Sequence, residues 1–87
     1  MYKILLEKNV TKFLEKHKGE ALIHRFTESL LVLSMEPYEN NLDIKILIGL
    51  PNTYILRIGK YRFLYEIIED KIIINFFDAG SRGDIYK

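Results

Sequence analysis

Two hydrophobic periods divide the chain. Over residues 54–77 apolar and polar positions alternate with the period of two expected of strands, broken at two turn signals. Tyr54, Leu56, Ile58, Tyr61, Phe63, Tyr65, Ile67, Ile72, Ile74 and Phe76 then fall on one face, which reads as the core side. Arg57, Arg62, Glu66 and Asn75 fall on the other, together with Ile55, Leu64, Ile68, Ile73 and Phe77. That second face carries more apolar surface than a monomer usually leaves to water, so a covering element or partner is expected. The first turn signal is Gly59-Lys60, where glycine supplies the positive φ of a two-residue hairpin loop. Such a loop sets Ile58 opposite Tyr61 and therefore Arg57 opposite Arg62. The second is Glu69-Asp70-Lys71, which brings residues 72–78 back alongside 61–68 and leaves residues 77–80 beside Arg62.

The first half changes period. Residues 2–7 form a short apolar run of strand length. Asn9 or Thr11 then offers a cap for a helix in which Val10, Phe13, Leu14 and His17 share a face, and Lys18-Gly19 ends it. A second helix starting near Glu20 carries Leu22, Ile23, Phe26, Leu30 and Leu33 on one side and stops at Pro37. Two helices with one apolar face need a sheet to lie on. Residues 37–53 form a long connection holding the apolar patch Ile44, Ile46, Leu47 and Ile48, part of it irregular or extended. The expected fold is α+β: an N-terminal strand, a helical hairpin, then a three-stranded antiparallel meander.

Composition narrows the chemistry. Eighty-seven residues are expected to make one domain, 1–87, with a single modest core. The net charge is +1, with seven basic and seven acidic residues before Tyr54 and six and five from there on. Any affinity for nucleic acid must therefore come from local clustering. There is no cysteine, hence no disulfide and no thiolate ligand, which fits a cytoplasmic location. No charged-then-apolar leader and no apolar run near 18 residues is present, so neither export nor membrane spanning is expected. No Ser/His/Asp, Cys/His, metal-ligand or phosphate-loop spacing occurs, and no cofactor is implied.

The cations gather late in the chain. Arg57, Lys60, Arg62 and Arg82, with Tyr86, can converge near one sheet edge. Two arginines facing each other repel unless both reach solvent or an anion such as phosphate sits between them. Taken as residues alone, Arg57 and Arg62 also read as strand residues of an exposed face. Arg82 reads as a loop cation pairing with Asp78 or Asp84, and Tyr86 as a ring packed on the sheet edge. The lysines at positions 8, 12 and 16 follow helical spacing, which describes a solvated face or, alternatively, a ribosomal RNA contact. His17 and His24 read as ordinary helix residues.

The run Tyr54-Ile-Leu-Arg-Ile-Gly-Lys-Tyr-Arg-Phe-Leu-Tyr-Glu-Ile, followed by an acidic turn, an apolar strand and Gly80-Ser-Arg-Gly-Asp-Ile-Tyr86, resembles the C-terminal signature of the RelE toxins of the RelE/ParE type II toxin-antitoxin superfamily. The likeness is densest over residues 49–86, and the helical half fits it in length and order. It implies a β-α-α-β-β-β fold, a ribosome-dependent endonuclease that cuts mRNA without a metal, and a small antitoxin as partner. Position by position, it implies Tyr86 as general base, Arg82 as general acid or leaving-group stabiliser, Arg57 and Arg62 as a phosphate clamp, and Lys60 and Lys87 as RNA contacts. Two positions depart from the pattern: Ile48 and Ile55 stand where relatives often carry basic residues. ParE-like relatives share the fold and poison DNA gyrase instead, so the alternative is a ParE-like or catalytically weakened toxin that acts by binding a partner, and a non-toxic RNA-binding module is a third reading.

Overall fold

A computed structural model describes residues 1–81. The chain runs β1 (Lys3–Leu6), α1 (Lys8–Lys16), α2 (Ala21–Met35), β2 (Ile44–Ile46), β3 (Thr53–Ile58), β4 (Tyr61–Ile68), a 3-10 turn (Glu69–Lys71) and β5 (Ile73–Ser81). The five strands form one sheet in the order β1-β5-β4-β3-β2. β1 runs parallel to β5, with Ile4 beside Ile74 and Leu6 beside Phe76, and every other pairing is antiparallel. The α+β class and element order agree with the expectation from sequence. The meander, however, has four strands rather than three, because Ile44–Ile46 of the long connection adds to the free edge of β3.

Local chemistry explains most boundaries. Gly59 takes φ 60°, and Lys60 has no positive φ, the pattern of a type II′ hairpin loop. It puts Arg57 opposite Arg62 and Ile58 opposite Tyr61 as expected. Gly19, at φ 88°, turns the chain between the helices. The helix caps differ from expectation: α1 begins after Glu7, so Asn9 and Thr11 lie inside it, and the Thr11 hydroxyl donates to the Lys8 carbonyl at 3.0 Å. At the far end of β4, Ile72 closes the 3-10 turn in the left-handed region with φ 54°, and its side chain is 51% exposed. Alternation alone places Ile72 in the core. The turn displaces it, and the strand proper starts one residue later at Ile73.

Both helices lie on one face of the sheet, α1 across β5 and α2 against β1 and β3. Between the layers Val10, Leu22, Phe26, Leu33, Leu56, Ile58, Phe63, Tyr65, Ile67, Ile74 and Phe76 form one buried cluster. Phe26 stacks on Phe63 with centroids 4.2 Å apart and meets Phe76 edge-on at 5.3 Å. Each such ring taken fully out of water contributes roughly 1.5–3 kcal/mol, so these contacts fix how the helices seat on the sheet. A bulge between Leu64 and Tyr65 shifts the register to β5, pairing Leu64 with Asp78 and Tyr65 with Phe76. Beyond it, Ala79 keeps to the core side and Gly80 comes opposite Arg62.

The end of the sheet farthest from the hairpin loop is tied by phenols. Tyr2 and Tyr38 both donate to the Glu69 carboxylate, joining the N-terminus, the α2–β2 connection and the β4–β5 turn. These two bonds hold the Glu69 carboxyl below its ordinary range, and the same bonds raise both phenols. On the face away from the helices, Asn75 donates to Glu7 at 2.7 Å and to Glu66 at 3.3 Å.

Candidate nucleic-acid interface

Strand alternation places Arg57 and Arg62 on the face away from the helices, directly opposite each other, with Gly80 on the far side of Arg62. Both guanidinium-bearing residues are half-buried, and Lys60 in the adjoining loop is exposed. The Lys60 ammonium lies 5.4 Å from the centroid of the Tyr61 ring. Lys45, exposed on β2, pairs across to Ile55 and so adds a cation to the same face, diagonal to Arg57.

Arg57 is engaged by a residue that pattern reading does not single out. Its Nη2 and Nε donate to one oxygen of Asp43 at 2.7 and 3.1 Å, and its backbone N–H donates to the Asp43 carbonyl at 2.9 Å. β2 begins opposite Leu56, so Asp43 stands beside Arg57 where the ladder gives out. A cleft of about 540 Å³ opens at this edge between α2 and β3, with Arg25, Glu28, Asp43 and Arg57 among its lining residues. Arg25 reaches on to the hairpin loop: a Cβ built on Gly59 would stand 3.9 Å from its Nη1. The sequence around Asp43 offers only the alternation Asp43-Ile44-Lys45-Ile46, too short to mark a strand inside a long connection.

The apolar part of this face is quieter than its sequence suggests. Ile55 and Leu64, opposite one another, are only 3% and 5% exposed, and Ile68, Ile73 and Phe77 are half-buried. More exposed apolar side chains lie elsewhere, among them the group Ile46, Ile48 and Leu50 on and after β2. Among the described residues, no three His, Asp or Glu side chains gather where they could hold a metal ion.

No protein-family model matches the chain, and no curated protein matches it significantly. Solved structures do. The chain is similar to the archaeal RelE–RelB complex from Pyrococcus horikoshii, at 28% identity and TM-score 0.80 over 95% of this chain and 97% of that one. It is 30% identical to a chain of the RelB–RelE antitoxin–toxin complex from Methanococcus jannaschii, with TM-score 0.76 over 94% of both. The chain belongs to the RelE toxins. The isolated Escherichia coli RelE toxin, at 20% identity and TM-score 0.76 over 99% of this chain and 92% of that one, shares its fold.

Within this RelE-family chain, the structure brings together two of the four residues expected to act on RNA, Arg57 and Arg62, and sets Lys60 in the loop beside them. Arg82, Tyr86 and Lys87 lie outside the described residues. The two positions where basic residues are expected by resemblance behave differently: Ile48 is 94% exposed, whereas Ile55 is buried.

Proposed function

We propose that this protein is the toxin of a type II toxin-antitoxin module and a ribosome-dependent mRNA endonuclease. The observation that carries the reading is the facing pair Arg57 and Arg62 on the open side of the sheet in a RelE-family chain. Two cations directly across a ladder call for solvent or an anion; the Asp43 carboxylate balances Arg57 in part, and a phosphodiester beside Arg57 and Arg62 fits the remaining charge.

In this reading the 2′-hydroxyl of a bound nucleotide attacks the adjacent phosphorus. The P–O5′ bond breaks, leaving a cyclic phosphate on one product and a 5′-hydroxyl on the other. The reaction needs a base at the 2′-oxygen, an acid at the departing 5′-oxygen and positive charge around the phosphorane-like transition state. Arg57 and Arg62 supply the charge. Tyr86 is the base and Arg82 the acid or leaving-group stabiliser, both by resemblance, with Lys60 and Lys87 contacting the RNA backbone. A tyrosine at its ordinary pKa near 10 is a poor base at neutral pH, so neighbouring guanidiniums must favour its ionised form. The partners are a ribosome carrying mRNA, and an antitoxin protein, for which the exposed Ile46, Ile48 and Leu50 are the apolar surface to bury. The site of action is the cytoplasm, and no described helix is long and apolar enough to cross a membrane.

The test is primer extension on a defined mRNA in a purified translation system, with the wild type, Arg62→Ala, Arg82→Ala and a reaction without ribosomes. In-frame cuts that require ribosomes, and that fall about 100-fold in each variant, are the expected result. Inhibition of gyrase supercoiling with no cut product would replace this reading with a ParE-type binding toxin.

A further inference from the structure

We propose that Asp43 is a positioning residue for RNA cleavage, acting through Arg57; the inference rests on the proposed function. The contact is unusually well anchored for a surface ion pair. One carboxylate oxygen accepts from both Nε and Nη2, which holds the guanidinium by its Nε edge at a set distance. The main chains of the two residues are joined as well, so Asp43 cannot drift relative to the strand that carries Arg57. The preceding loop is itself ordered. Asn40 bonds back to the Glu36 carbonyl at 2.7 Å and accepts from the Leu42 N–H at 3.0 Å, and Leu42 packs against the core. Loop, carboxylate and guanidinium therefore form one braced unit at the edge of the cationic face.

Stability does not account for this arrangement. The side chains are 29% and 56% exposed, and a solvent-screened pair adds little to folding. Orientation does. A long flexible side chain that must meet a phosphate in one geometry reacts faster when that geometry is set beforehand. Asp43 also cancels one positive charge, which opposes RNA binding. The two effects have opposite signs on binding and on turnover, and that separates them from a general loss of structure.

The experiment measures single-turnover cleavage against ribosome concentration for the wild type, Asp43→Ala and Asp43→Asn, and repeats Asp43→Ala in an Arg57→Lys background. Asp43→Ala is expected to lower the maximal rate about tenfold while the half-saturating ribosome concentration stays level or falls. Asp43→Asn keeps an accepting oxygen and retains most of the rate. With Lys at position 57 the Asp43→Ala cost disappears, because there is no guanidinium left to orient. An unchanged or increased maximal rate in Asp43→Ala, or an equal cost in both backgrounds, overturns the proposal. NMR order parameters of the Arg57 Nε–H group test the brace independently of cleavage: a lower order parameter in Asp43→Ala than in the wild type is expected, and equal values in both overturn it. A wild type that never cuts removes the proposed function, and the Nε measurement then decides by itself whether Asp43 holds Arg57.

Discussion

Replacing Tyr65 by phenylalanine should stabilise the protein. Tyr65 is 0% exposed, its ring packs on Phe76 at 4.9 Å and on Tyr54 at 5.5 Å, and its hydroxyl is buried with no hydrogen-bond partner among the described residues. Folding thus gains the ring and loses the hydration of the oxygen. An unmade buried hydrogen bond costs about 1–3 kcal/mol, and the phenylalanine variant escapes that cost while keeping the ring contacts. Allowing for the dispersion contacts the oxygen makes, a net gain of about 1 kcal/mol is expected, or roughly 4–8 °C in Tm for a domain of this size. A second signature lies at alkaline pH. Burial raises the Tyr65 phenol above its ordinary value, so its contribution is intact below about pH 10 and drains away as pH rises toward the folded-state value. The variant should lack that component of the alkaline loss. Urea titrations of both proteins at about pH 7 and across roughly pH 9–11 provide the assay. A Phe variant less stable by about 1 kcal/mol or more would refute the reasoning, since it would mean the hydroxyl is bonded in solution.

Two further substitutions test the turn end of the sheet. Glu69→Gln should flatten the acid side of the stability profile: the wild-type carboxyl titrates below its ordinary value, so its contribution is present above that value and is lost as pH falls through the lower folded one. The urea midpoints of wild type and variant should differ at about pH 7 and converge as pH falls through the lowered folded-state value, and a gap that persists unchanged into acid would sink the assignment. Ile72→Gly should be neutral or stabilising by up to about 1 kcal/mol, because a β-branched residue at φ 54° carries about 1–2 kcal/mol of strain that glycine lacks, offset by glycine's greater unfolded-state freedom. Differential scanning calorimetry reads it, and a fall in Tm of more than about 5 °C would show that the half-exposed Ile72 side chain packs more than it strains.

What is legible in the chain before it folds divides by the range of the interaction. The hairpin at Gly59-Lys60 is a local event, and the register that faces Arg57 with Arg62 follows from loop length alone. The core side of the meander follows equally well, since period two is imposed by the backbone. Ile72 escapes the pattern because a turn can take one residue out of the alternation without changing its composition. β2 is not legible as a strand because three residues give too short a period to distinguish from a loop, and it forms only because β3 offers an unpaired edge. The same cause hides Asp43. A carboxylate 14 residues from its arginine becomes visible only once the strand between them has been added to the sheet.

The near-zero net charge, which argues against a nucleic-acid partner when taken over the whole chain, does not survive the fold as an objection. Along β4, Arg62 and Glu66 lie on the same face four residues apart, roughly 13 Å at about 3.3 Å per residue. That exceeds the Debye length of about 8 Å at physiological ionic strength, so each end of the face presents its own charge to a passing ligand. Glu7 and Glu66 are gathered on Asn75, and Glu69 between two phenols, all toward the end of the sheet away from the hairpin loop. The opposite end carries Arg57, Lys60 and Arg62, with Lys45 and Asp78 one row in and the Asp43 carboxylate bonded to Arg57. An RNA backbone approaching that end meets a local excess of positive charge that the net charge of +1 averages away. The partition also separates the two demands on the fold: the acidic, phenol-braced end ties chain segments together, and the basic end is left to the ligand. Asp43 and Asp78, the latter opposite Leu64 and one row from Arg62, are the carboxylates placed among the cations, and the direct bonds of Asp43 to Arg57 give it a purpose there: it lowers the charge available for binding and sets the direction in which Arg57 presents it.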